Sequence, residues 1–583
     1  MTSLNIGDRG TYTFEYLDNQ GRPITPPPTL DGPPAWTHSS TTVATLTPSA
    51  DRSSAGLQAT AAGSDTVNLQ VAVKGTNYTD SDAVTVAPAN PKLASIKLKF
   101  TLDAGTQPPP GGGGGGALPA GVTLQAIDGE TMSGTTMSHS FYTGRNLTTL
   151  TNNRPSGFPN WDDPAFFPVD AFYGLYGNNA ANFTTYLDLG FSGSNMVTGG
   201  MDFNTMSGLQ LWGTTCKPDY DTGTVPIGNW HVGWHTDEHN PSGDISIVPN
   251  NLQDHKLWDL VYTRNGLVFG GISANGDLWT FIGPDSAKNF GTPNGTKRGV
   301  DNYGVDLYFF AIAEDTAYGQ PYASGLFQVP MQTVGPGCSR DQCARGSHYG
   351  NMIDCHRAVA NGSNINPTQD GSKTAGTSGA PATVPLLPYI ETTTGKWTSM
   401  QVAITGPQLN WATWSSIIHG ARRINYFTDF GVPADYSGSN GPGSLLYTST
   451  KNCIGLIQNL AAVLNSPFAL SYVSATPHGY AFPVYEADWL NGGIETMAKW
   501  YQGGSYTPAS GPLSGIAIGD GFYIFACTRY GEANAAVTAT FTVNDPNAAR
   551  VNVLGENRSI TISGGRFSDN FANAAAVHIY QVV

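Results

Sequence analysis

Leu386-Leu-Pro-Tyr-Ile-Glu391, followed by Trp411-Ala-Thr-Trp-Ser-Ser-Ile-Ile-His-Gly-Ala-Arg-Arg423-Ile-Asn-Tyr-Phe427, is where the chain shows what kind of fold it adopts. The first run reads as a strand that ends in a carboxylate. From Trp411 the apolar residues take helical spacing, and glycine stops the helix at Gly420. Arg423 to Phe427 reads as strand again. The chain steps directly from helix to strand.

The same alternation extends outward. Segments 166–172, 195–198, 209–212, 232–236 and 305–309 read as further strands, with longer, helix-capable stretches among them. Cys453-Ile-Gly-Leu-Ile-Gln-Asn-Leu-Ala-Ala-Val-Leu464 is the clearest amphipathic helix. Strand–helix alternation over about 250 residues or more is what a (β/α)8 barrel requires. Residues 120–470 are therefore expected to form a central barrel of TIM type, the excess length going into loop insertions. Residues 471–583 return to short alternating strands such as Gly521-Phe-Tyr-Ile-Phe-Ala-Cys527, expected as an antiparallel β-sandwich. Residues 1–104 also read as short strands punctuated by proline clusters, a small β-sandwich. Pro108-Pro-Pro-Gly-Gly-Gly-Gly-Gly-Gly116 fits no core, so 105–119 is expected as a linker. The fold class is multidomain.

Composition narrows the function. The 583 residues include 71 glycines and 39 prolines, and only 12% are charged, against about 25% in an ordinary globular chain. With 39% hydrophobic residues the chain still builds cores, beneath a Ser/Thr/Asn/Gly surface suited to work outside a cell. A net charge of −15 disfavours nucleic acid and anionic membrane as partners. No run reaches the ~18 apolar residues of a membrane span, so no membrane insertion is expected. The first residues lack a signal peptide's basic and apolar regions. An extracellular or virion-associated protein is expected, one that has lost a signal or leaves its cell by another route such as phage lysis. Six cysteines are too few for a disulfide scaffold. Cys338, Cys343 and Cys355 crowd one segment, read as a loop pinned by a local disulfide; a zinc site using His348 or His356 is the alternative.

No Gly-x-Ser-x-Gly, His-Glu-x-x-His or phosphate loop is present. What remains is carboxylates just past strands, where a barrel's active face lies. Asp237 and Glu238 follow Val232-Gly-Trp-His-Thr236, near strand four, and Glu391 follows Leu386-Leu-Pro-Tyr-Ile390, near strand seven. Two carboxyls across a cleft are what glycosidic cleavage needs, one protonated and one ionised. Asp202, Asp306 and Asp429 also end strands, as binding or structural carboxylates. Trp212, Trp234, Trp397 and Trp411 are candidates to stack on sugar faces, although core packing is the commoner fate of a tryptophan.

Glu238, Glu391 and the run Pro388-Tyr-Ile-Glu-Thr392 with Ile417-Ile-His-Gly-Ala-Arg-Arg-Ile-Asn-Tyr-Phe427 resemble the clan A glycoside hydrolases, retaining enzymes on a barrel. The resemblance implies Glu238 as acid/base and Glu391 as nucleophile. It also implies Tyr308 as a hydrogen-bond donor to Glu391, and Asp237, with His235, as sugar-binding. Asp237 departs from the clan, which has asparagine there. The run 553–571 resembles the small β-sandwich appended to many such barrels. Trp36-Thr-His-Ser-Ser-Thr-Thr-Val-Ala-Thr-Leu46 resembles bacterial and phage immunoglobulin-like modules. The expected function is retaining hydrolysis of an extracellular or capsular polysaccharide, with neither cofactor nor metal. Two alternatives stay open. One is a non-catalytic carbohydrate-binding or phage structural protein on a barrel scaffold. The other is a metal-dependent deacetylase, since His235-Thr-Asp-Glu-His239 resembles the metal motif of polysaccharide deacetylases.

Overall fold

The computed structural model describes residues 2–5, 9–13, 33–39, 43–49, 54–59, 61, 63–73, 76–87, 118–138, 163–172, 180–195, 212–216, 231–235, 257–263, 302–306, 309–310, 344–360, 381, 385–392, 404–428, 432–482, 492–531 and 536–583. The chain divides into two compact units, Met1–Gly111 and Gly112–Val583.

Among the described residues the first unit is a seven-stranded sandwich. One sheet orders Thr2–Asn5, Thr76–Ala87, Gly63–Val73 and Ala35–His38; the other orders Arg9–Thr13, Ser54–Ala59 and Ala44–Pro48. Trp36 and Val67 from the first sheet meet Ala44, Ala55 and Leu57 from the second in one apolar cluster. Period-two patterning builds a two-layer core of this kind.

The second unit holds a closed barrel of eight parallel strands in chain order: Val169–Phe172, Gly193–Asn195, Trp212–Cys216, His231–His235, Leu257–Thr263, Asn302–Asp306, Leu386–Glu391 and Ile424–Phe427. Pairing of the first strand with the eighth closes it. The described helices are Ala180–Leu189 after strand one, Ser347–Ala360 after strand six, Gly406–Ile418 after strand seven and Leu445–Asn459 after strand eight. The Gly406–Ile418 helix starts in a capping box between Thr405 and Gln408, with Pro407 in its first turn. It stops where Gly420 takes φ +96°, a conformation that costs glycine least.

Strand alternation decides what faces the lumen. Leu386, Ile390, Ile424, Tyr426, Val169 and Ala171 belong to the core shared with the helices. The residues between them, Leu387, Tyr389, Glu391, Asn425, Phe427, Asp170 and Phe172, turn inward. On strand six, Gly304 is where bulk is forbidden: a Cβ there would lie 2.6 Å from Tyr389 and 3.2 Å from Leu387.

An extended sheet packs on the barrel's helices. It orders Arg558–Thr561, Arg550–Val553, Val577–Val582, Gly521–Thr528, Ile494–Tyr501, Phe468–Leu470 and Thr123–Gln125, with His478–Ala481 also against Ile494–Tyr501. Met497, Tyr501, Tyr523, Phe525 and Cys527 join the barrel-side core. Ile494, Ala498, Ile524 and Ala526 face the other way, onto the sheet Val473–Thr476, Val537–Val543, Arg566–Phe571. Each large apolar side chain buried this way is worth about 1.5–3 kcal/mol.

Several elements differ from the reading of the sequence. Thr123–Gln125, inside the 120–470 segment expected as the barrel, is an edge strand of the sandwich and pairs with Phe468–Leu470. Barrel strand five, Leu257–Thr263, was not among the expected strands. Strand three lies at Trp212–Cys216 rather than 209–212, and strand six ends at Asp306, before a helical turn at Phe309–Phe310. Ser347–Ala360, inside the segment expected as a cysteine-pinned loop, is a helix. The 105–117 part of the expected linker lies outside the described residues.

Candidate functional site

Glu391 is the last residue of barrel strand seven and is 3% exposed. Its Oε1 accepts two hydrogen bonds of 2.7 Å, from the Phe310 backbone N–H and from the Tyr349 hydroxyl. Phe310 sits in the turn just past strand six, and Tyr349 in the first turn of the Ser347–Ala360 helix. Both donors therefore come from the connection between strands six and seven. The Tyr349 ring is fixed by Phe309, edge-on at 5.0 Å, and by Phe310, stacked at 6.3 Å. Burial, reinforced by the Glu391 charge, pushes the Tyr349 phenol well above its ordinary range, so it remains protonated and donates.

The backbone beside Glu391 is tied down as well. Thr392 donates its hydroxyl to the Phe427 carbonyl at 2.7 Å, and Thr428 donates to the Phe172 carbonyl at 2.6 Å. These bonds link strands seven, eight and one at their carboxyl ends. Next to the carboxylate, Phe172 stacks on Phe427 at 5.1 Å and meets Tyr389 edge-on at 5.2 Å. Further into the lumen Arg423 donates from Nε to Asp170 at 2.6 Å, both groups fully buried. A carboxylate held between two donors at the mouth of a parallel barrel is oriented, desolvated and close to where this architecture does chemistry.

The fourth strand, His231–His235, runs parallel to the seventh and finishes at the same end of the barrel. His235 pairs in register with Cys216 and Asp259. Asp237 and Glu238 follow it by two and three residues and lie outside the described residues, as do Asp202, Tyr308, Trp397 and Asp429. Trp212 opens strand three, and Trp234 and His235 end strand four. Asp306 ends strand six and pairs with Tyr389. Trp411, weighed as a sugar platform, is a core residue: it is fully buried and donates its indole N–H to the Thr528 carbonyl at 2.8 Å. Among the described residues no group of three His, Cys, Asp or Glu comes together to hold a metal ion.

The tyrosine that reaches Glu391 was not a sequence candidate. Tyr349 lies 42 residues before Glu391, in the cysteine-rich segment. Gly346-Ser-His-Tyr-Gly350 has no local signal for it beyond a helix start close after strand six.

No family model and no curated protein matches the chain. Solved structures with a similar arrangement include a proposed α-galactosidase from Bacteroides fragilis, at 8% identity and a TM-score of 0.28, covering 100% of this chain and 96% of its own. An α-amylase from Geobacillus thermoleovorans, solved with acarbose, is 7% identical with a TM-score of 0.36, covering 72% of this chain and 98% of its own. An Anoxybacillus α-amylase is 8% identical with a TM-score of 0.29, covering 72% and 98%. At such distances only this chain's own residues speak to its chemistry.

Proposed function

We propose that the chain is a glycoside hydrolase on a (β/α)8 barrel of TIM type, with an immunoglobulin-like module in its first unit and a carbohydrate-active site at the barrel mouth. The observation that carries this reading is Glu391: a buried carboxylate at the end of strand seven, held by an N–H and a tyrosine hydroxyl. In this reading Glu391 is the nucleophile and Glu238 the acid/base. Glu391 attacks the anomeric carbon while Glu238 protonates the departing glycosidic oxygen, which leaves a covalent glycosyl-enzyme. Glu238, now ionised, takes a proton from water, and that water displaces Glu391. Configuration is retained, a course that requires the two carboxyls about 5–5.5 Å apart. The Phe310 and Tyr349 donors favour the ionised, attacking form of Glu391.

The substrate class is an extracellular or capsular polysaccharide, met outside a cell or on a virion. Asp237, His235, Trp234 and Trp212 are placed in this reading along the sugar-binding face. Reducing-sugar release across a polysaccharide panel tests it, with EDTA present and absent. Release that EDTA leaves unchanged supports the reading. Inertness toward every glycan favours a binding or structural role, and EDTA-sensitive acetate release favours a deacetylase.

A further inference from the structure

We infer that Glu495, on a strand of the sandwich, positions Glu391: through His419 and Asp354 it holds the Ser347–Ala360 helix where the Tyr349 hydroxyl meets the carboxylate. This deepens the reading above only in taking Glu391 as the reacting group.

One helix carries both ends of the argument. Its first turn bears Tyr349, and five residues later, about 7.5 Å along the axis, it bears Asp354. Asp354 Oδ2 is 2.7 Å from His419 Nδ1, and His419 Nε2 is 3.1 Å from Glu495 Oε1. Glu495 Oε2 accepts from Ser415 Oγ at 2.8 Å and from Cys527 Sγ at 3.0 Å. A second link runs beside the first: Arg529 Nη2 donates to Asn351 Oδ1 at 3.3 Å and its Nε lies 3.8 Å from Glu495. Arg357, on the same helix, is held by Asp128, Asp354 and the His419 carbonyl. Asp354, His419 and Glu495 are at most 1% exposed.

Gly350 on the helix and Gly346 just before it open the way to this grip. A Cβ on Gly350 would overlap His419 and Ser415, and one on Gly346 would lie 2.5 Å from Trp411. Where glycines meet the neighbouring helix there are no side-chain ridges to set the axial position. The charged clamp supplies that constraint. Burial works against a charged His419, but Asp354 and Glu495 outweigh it and raise its pKa, which favours the charged imidazole between the two carboxyl groups.

The test follows the Glu391 carboxyl directly, by titrating 13C-glutamate-labelled protein, its signal assigned by loss in Glu391→Gln. It needs no substrate, so it stands or falls independently of glycosidase activity. Tyr349→Phe is expected to raise the proton affinity of Glu391 roughly tenfold, because the charged form loses a donor. Glu495→Gln is expected to raise it at least about twofold, and the double variant to match Tyr349→Phe alone, because the effect passes through Tyr349. If Glu495→Gln folds and melts lower but leaves the Glu391 titration unmoved, or if the two shifts add, the positioning role is wrong. Should Glu495→Gln not fold, Asn351→Ala, which cuts the second link, takes its place beside Tyr349→Phe. A shift absorbed by Tyr349→Phe then supports the role, and an unmoved titration or additive shifts overturn it.

Discussion

At Glu391 the two donors share one carboxylate oxygen, and an amide oxygen in the same place accepts from both. Glu391→Gln is therefore expected to fold and melt close to the parent while turnover on a polysaccharide falls at least about 1,000-fold. Loss of binding in step with turnover, seen by isothermal titration with the intact glycan, would point instead to a binding carboxylate. Phe427, paired in register with Glu391, and Phe172, which stacks on Phe427 and meets Tyr389 edge-on, are rigid neighbours fixed by ring contacts. They give the carboxylate a dry flank, which strengthens its hydrogen bonds.

Among the elements, the Ser347–Ala360 helix is closely packed, with buried residues from Ser347 to Asp354 and again at Arg357. Gly350 is expected to resist even a methyl group. Alanine favours a helix by about 1 kcal/mol over glycine. The overlap with His419 and Ser415 works the other way. Overpacking costs typically about 1–3 kcal/mol, so Gly350→Ala is expected to lower the urea midpoint. A raised midpoint would mean that the two helices separate easily and that the clamp is slack.

In the second unit, buried charges sit within the otherwise apolar joint between the sheet and the barrel helices. Glu495 and Lys499 stand on the barrel side of a strand whose other barrel-side residues, Met497 and Tyr501, are apolar. Burial holds the Lys499 amine well below its ordinary range, and Lys499 donates to the Ser466 carbonyl at 2.9 Å. His419, held above its ordinary 6.5, adds stability that is complete below 6.5 and lost as pH rises through the raised value. Glu495 is held below its ordinary 4.5: burial alone would raise it, but His419 and Arg529 prevail. It adds stability that is complete above 4.5 and lost as pH falls through the lowered value. The His419–Glu495 link is thus firmest between about pH 4.5 and 6.5. Melting temperature is expected to decline on the alkaline side, and His419→Gln to melt lower at pH 6 with a flatter alkaline slope. An equal slope in both proteins would assign the decline elsewhere.

The amino-terminal boundary gives a second test at this scale. Deleting residues 1–111 removes one compact unit and is expected to leave the other folded. Deleting through residue 130 also removes the Thr123–Gln125 strand and Asp128, the carboxylate that Arg357 grips from two nitrogens. Arg357 keeps Asp354 and the His419 carbonyl, so losing the Asp128 partner of a buried guanidinium costs at most about 3–5 kcal/mol. Circular dichroism melts of the two truncations should differ by many degrees; indistinguishable melts would make the 118–130 segment an ornament.

Strand patterning and helix punctuation were readable along the chain, because both are local. The period-two run of Gly521–Thr528 sorts its residues onto two faces without reference to anything distant. The helix-to-strand step around Gly420, and a carboxylate closing the Leu386–Glu391 strand, were visible on the same terms. The donors to Glu391 were not, because Tyr349 arrives across 42 residues through a helix that cysteine spacing had disguised as a loop. Nor was the Thr123–Gln125 strand, whose partner lies more than 340 residues away. Asp128, Asp354, Arg357, His419, Glu495 and Arg529 each read in sequence as an ordinary polar residue. Burial against one another turns them into a joint, and burial is a property of which elements meet. Local pattern writes faces and ends into the chain; which charges share a dry interior is decided only when sheet and helices close on each other.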